Sequence, residues 1–166
     1  AKGAAQADGS ILLTWNGLAP ATGYAAWAMG GKGTPGQDDA QDMVWWTSSS
    51  TREFGGGLWD WLPPATVAKL VTSKTVMPPS QTSCQIPAEV KNAAAGYLMG
   101  NLNAFGPEAN FSYPPKPSDP KAVWNIDWTA RVRYRSTAML FLVGGMAGME
   151  DAGSGQTGNS APPPKE

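Results

Sequence analysis

The sequence predicts a mainly β protein: an antiparallel β-sandwich with a short helical insertion and extended termini. Three observations lead there. Gly (20) and Pro (15) are both abundant, so the chain turns often and leaves little room for long helices. Short runs of β-branched, aromatic and apolar residues sit between those turn signals. Residues 128–135 alternate cleanly, with Trp128, Ala130, Val132 and Tyr134 on one side and Thr129, Arg131, Arg133 and Arg135 on the other.

The elements follow in chain order. Residues 1–10 are small and polar and read as a flexible leader without an apolar signal-peptide core. Ile11 to Trp15 is a first strand, closed by Asn16-Gly17 and Pro20, and Tyr24 to Met29 is a second, closed by Gly30-Gly31. A polar loop follows, then Met43 to Thr47 as a third strand. Pro63-Pro64 opens a short helix over 65–71, with Val67, Leu70 and Val71 on one face, and Pro78-Pro79 stops it. Ser83 to Ile86 is a brief strand, 88–95 a helical turn, Tyr97 to Phe105 a long strand and Asn110 to Tyr113 a short one. Trp124 to Val143 carries the last strand or strand pair. The expected organisation is one sandwich domain over 11–146, interrupted by an insertion at 51–81, with a low-complexity Gly/Pro-rich tail at 147–166.

Two stretches carry a family likeness. ILLTWNGLAPATGYAAWAMG, with Trp15 at a core-Trp position and Tyr24 opening the next strand, resembles the B and C strands of fibronectin type III-like modules, a branch of the immunoglobulin-like sandwiches. TSCQIPAEVKNAAAGYLMGNLNAFGPEANFS resembles their E–F–G part, through Tyr97 and Ala104-Phe105-Gly106. The chain departs from that pattern in its long insertion and in its extended last strand. Tyr97 and Ala104 are also an odd number of residues apart, so a bulge is needed to bring them to one face. The resemblance implies an architecture and a tendency towards adhesion, display or assembly, and it implies no catalytic residues.

Charge and composition narrow the function classes. Twelve Lys and Arg oppose thirteen Asp and Glu, so the basic excess that displaces counterions from nucleic acid is missing. No run of about 18 apolar residues occurs, and no transmembrane helix is expected. The chain has no histidine, which removes imidazole-based triads and imidazole metal ligands. Cys84 stands alone, is expected to act as a small buried hydrophobe, and excludes an intrachain disulfide. Asp38, Asp39 and Asp42 lack calcium-loop spacing and read as a solvated loop. No catalytic residue, cofactor or metal is nominated, and the protein is expected not to be an enzyme. The low charge and Gly/Ser/Thr/Asn-rich loops favour an exported protein of the bacterial periplasm, cell surface or extracellular space.

Two surfaces are candidates for binding. Ala138 to Val143 is apolar on both sides, as in a strand buried on both faces, covered either by the 51–81 insertion or by a neighbouring subunit. The candidate protein interface is therefore Arg131, Arg133, Arg135, Met139, Phe141 and Val143, with solvation and local ion pairing as the plainer account of the arginines. The expected function is a structural or assembly subunit of a cell-surface, filament or envelope complex, with a protein partner or self-assembly. The alternative is a carbohydrate-binding module with Trp46, Trp59, Asp60 and Trp61 as a stacking platform, against the plainer reading that these tryptophans fill or cover the core.

Overall fold

The structure, a computed structural model, describes residues 1–32, 42–52 and 56–143. Strand β1 is Lys2–Ala5, β2 Ile11–Thr14, β3 Gly23–Gly31, β4 Met43–Thr47, β5 Ser83–Ile86, β6 Tyr97–Tyr113 and β7 Trp128–Val143. Helix α1 is Pro64–Thr72, preceded by a single 3-10 turn at Gly56–Leu58, and α2 is Ala88–Ala93. The described residues are thus mainly β, in two antiparallel sheets of order β1-β2-β5 and β4-β3-β6-β7.

Alternation decides which residues meet between the sheets. Ile11 and Leu13 of β2 and Ile86 of β5 point inward. They face Tyr24, Ala26 and Ala28 of β3 and Leu98, Leu102 and Ala104 of β6. The alanines of β3 keep the middle of the larger sheet thin, so the leucines and isoleucines from either side fill the gap. Trp15 closes one end, its ring 5.4 Å from that of Tyr24. The Tyr24 hydroxyl accepts a hydrogen bond from the Leu18 amide at 2.8 Å and pins the β2–β3 loop. Leu140, Leu142, Val44 and Trp46 flank this core.

The insertion lies on the opposite, outer face of the larger sheet. Proline at its start gives α1 a first turn that needs no amide donor. Val67, fully buried, joins Leu58 and Val76 in a second cluster over Ala25 and Phe105, with Leu62, Leu70 and Val71 at its edge. Beyond the end of β4, Met77 takes over the free edge of β3, exchanging backbone hydrogen bonds of 2.9 and 2.8 Å with Tyr24.

Strands β6 and β7 outrun every other element. Leu98 to Phe105 pairs with Arg135 to Val143 under the smaller sheet, and Glu108 to Tyr113 continues against Trp128 to Arg133 as a two-stranded ribbon. The two parts meet at a bulge, where Gly106 and Pro107 intervene between the Phe105↔Arg135 and Glu108↔Arg133 pairs. Gly106 suits that place because a Cβ there would sit 2.7 Å from the Tyr134 carbonyl oxygen.

Several expectations are corrected. Residues 1–10 are not a free leader: Lys2–Ala5 pairs with β2, and Gly9, at φ +85, makes the turn between them. The separate strands at 97–105 and 110–113 are one strand, and the last strand begins at Trp128 rather than Trp124. No bulge brings Tyr97 and Ala104 together, because β6 runs against β3 without interruption from Tyr97 to Phe105. Tyr97 faces outward, its hydroxyl 3.6 Å from Met43 Sδ, while Ala104 faces the core. The tail at 147–166, and with it the end of the 11–146 domain, lies outside the described residues.

Candidate interaction surface

One strand brings most of the candidate interface together. The odd-numbered residues of β7 from Arg131 to Phe141 share the outer face of the larger sheet, opposite the sandwich core. The insertion, seated on Phe105 and Ala25, divides that face into a basic end on the ribbon and an apolar end near Met139.

At the basic end each arginine has local partners. Glu108 of β6, half-buried, lies between two of them, its oxygens 3.6 Å from Arg131 Nε and 3.1 Å from Arg133 Nε. Arg131 Nε also donates to Asn110 Oδ1 at 3.2 Å. The Arg133 guanidinium lies over the Trp61 ring at 4.4 Å, and Trp61 Nε1 donates to the Gly106 carbonyl at 3.1 Å. Arg135 donates to the Trp59 carbonyl and is 4.0 Å from Asp60 Oδ1. These exposed pairs contribute at most about 1 kcal/mol each. Their main effect is to tie the insertion to the base of the ribbon. A concavity of about 790 Å³ opens beside them, walled by Trp124, Asn110, Ser112 and Thr129. The arginines on its rim already share Glu108.

The apolar end is built differently. Met139 and Phe141 are 61% and 65% exposed. Of the two covers expected for this segment, the insertion is ruled out: it lies over Phe105 and Ala25 instead, and only the side of the strand that carries Leu140 and Leu142 is turned towards the core. Val143 follows a bulge, is half-buried, and packs on the core beside Leu142. The register sets Met29 opposite Met99, Met99 opposite Phe141, and Asn101 between Trp27 and Met139. Met43 adds a further exposed side chain on the same face. Asn101 is 6% exposed, and its Oδ1 finds no donor among the described residues.

The tryptophans separate into distinct groups. Trp27 and Trp45 stack at 5.3 Å, and Trp59 from the insertion lies 5.7 and 5.3 Å from them. Trp46 points the other way, into the sandwich core. Trp61 is held beneath Arg133, and the Asp60 side chain is almost fully exposed. The four residues of the expected sugar platform are therefore not one surface; Trp59 and Asp60 alone remain adjacent and open. Sequence reasoning passed over Trp27, Met29 and Met99, although Trp27 and Met29 alternate with Ala26 and Ala28 in YAAWAMG and so share a face.

Among the described residues no group of three or more Cys, Asp or Glu could hold a metal ion; Asp38 and Asp39 fall outside them, and Asp42 pairs with Lys32 at 3.7 Å. No helix among the described residues is long and apolar enough to cross a membrane. Burial raises the pKa of the Cys84 thiol. No family model, curated protein or solved structure matches the chain.

Proposed function

We propose that this chain is a non-enzymatic, exported β-sandwich module that works through protein–protein contact. It serves as a structural or assembly subunit of a cell-surface, filament or envelope complex. The observation that carries this reading is the uncovered apolar end of the outer face, where Met139, Phe141, Met43 and the half-exposed Trp59 face solvent. Methionines and aromatics gathered on one sheet face mark interaction surfaces, and they are costly to leave in water.

The module type proposed is immunoglobulin-like, of the fibronectin type III kind. In its support, β1-β2-β5 and β4-β3-β6-β7 have the neighbours of strands A-B-E and C′-C-F-G in such sandwiches. The insertion then replaces the link between C′ and E.

The test is native mass spectrometry of the protein released gently from its own cellular fraction. The expected species is heavier than the 17.4 kDa chain, and Met139→Glu with Phe141→Glu lowers its mass without loss of secondary structure. A monomer under all conditions, or a cytosolic protein, overturns the reading. A sugar-binding role retains one supporting feature, the Trp59 ring at 45% exposure beside Asp60. Fluorescence titration with a glycan panel decides it, since a quench abolished by Trp59→Ala supports sugar binding.

A further inference from the structure

The even-numbered residues of β7 from Trp128 to Tyr134, with Ala109, Phe111 and Tyr113 of β6, present a second surface, separate from the one above. The smaller sheet consists of four-residue strands; it covers β6 only as far as Ala104, and on β7 the cover ends before Ser136, which is exposed. Beyond that line the core-facing side of the larger sheet continues with none of the described strands or helices over it. Val132 opposes Ala109, Ala130 opposes Phe111, and Trp128 stacks on Tyr113 at 6.1 Å. Tyr134 lies at the base, beside Leu18 of the β2–β3 loop. Phe111, Tyr113, Trp128, Val132 and Tyr134 are 50%, 55%, 52%, 38% and 46% exposed. A face that would be sandwich core if the first sheet were longer is left in water.

We infer that this face is a self-association surface and that its occupant is the ribbon of a second copy, packed across a two-fold axis. Two properties favour a second copy. First, the face carries no charge: all the ionised groups of the ribbon, Arg131, Arg133 and Glu108, are on the other side. Two identical faces therefore meet without like-charge repulsion, as an isologous contact requires. Second, the area suffices for a weak dimer. Aromatic side chains carry roughly 150–250 Å² each, so four half-exposed rings with Val132 offer about 400–600 Å² per copy. The pair buries about 800–1,200 Å², at the threshold of specific interfaces. Each ribbon then stands about 10 Å above the other, where a covering sheet would lie. The two-stranded ribbons complete each other's missing second layer.

Sedimentation equilibrium of the full chain between about 5 and 500 µM tests this. A monomer–dimer equilibrium with Kd between about 1 and 100 µM is expected. Trp128→Glu with Val132→Glu should weaken it at least tenfold, and so should the milder Phe111→Ala if the double variant fails to fold. Lys69→Ala, on the exposed side of α1, should leave it unchanged. A wild type that stays monomeric at about 500 µM overturns the inference and leaves the face to a different partner. A dimer indifferent to the ribbon variants but abolished by Met139→Glu with Phe141→Glu also overturns it, and places self-association on the outer face.

Discussion

Asn101 is costly where it stands. It is enclosed between Trp27 and Met139, and a buried carbonyl oxygen without a donor forfeits about 1–3 kcal/mol of hydration. Asn101→Leu keeps the same number and branching of side-chain heavy atoms and matches its apolar neighbours, so it should stabilise the fold by about 1 kcal/mol. In urea titrations the midpoint should rise while the slope stays unchanged. Leu98 is the opposite case: it is wholly buried in the main core, and Leu98→Ala should cost about 2–5 kcal/mol in the same titration. At Cys84 burial favours the neutral thiol, so iodoacetamide should label the native protein more slowly than the urea-unfolded chain at equal pH. The raised pKa also fixes the sign of a stability effect. Its contribution is fully present below the unfolded thiol value of about 8.5 and is lost as pH rises towards the higher folded value.

Among the elements, the β6–β7 hairpin shows what sequence can and cannot reveal. The alternation at 128–135 correctly separates the arginines from Trp128, Val132 and Tyr134. A period of two says which residues share a face, but it does not say whether anything lies over that face. Cover depends on where the strands of the other sheet end, and those four-residue strands stop short of the ribbon. The same gap misled the reading of 138–143. Met139 and Phe141 look like core residues, yet the layer expected over them sits on Phe105 because α1 docks through Val67. Short-range signals did better: the prolines at 63–64 placed α1, and the turn residues placed β2 to β5, each within a few positions. Gly106 allows a sharp test of the hairpin. The Cβ of Gly106→Ala would meet backbone at Tyr134, so that variant should lose about 1–3 kcal/mol and speed amide exchange in the ribbon first.

For the whole molecule, the core and the two exposed surfaces are separable. The main cluster draws on β6 and β7 only between Leu98 and Ala104 and between Leu140 and Val143. Residues 108–133 contribute no buried residue to it. Joining Pro107 to Tyr134 through Asn-Gly, a two-residue hairpin turn, should therefore leave a folded sandwich. Its unfolding free energy should stay within about 2 kcal/mol of the full chain, the margin covering the lost bonds from Arg133 and Glu108. The shortened protein should also be monomeric at concentrations where the full chain dimerises. The two surfaces lie on opposite faces of one sheet, so a dimer formed through the ribbons still presents Met139 and Phe141 at both ends. A two-fold contact closes on itself, whereas a second, different contact on each subunit lets the assembly grow. Light scattering should then rank three proteins: the full chain associates furthest, Met139→Glu with Phe141→Glu stops at dimers, and the ribbon-deleted chain retains only whatever the outer face supports. If the ribbon-deleted chain and the full chain associate to the same extent, the ribbon contributes nothing to assembly, and the outer face alone must account for it.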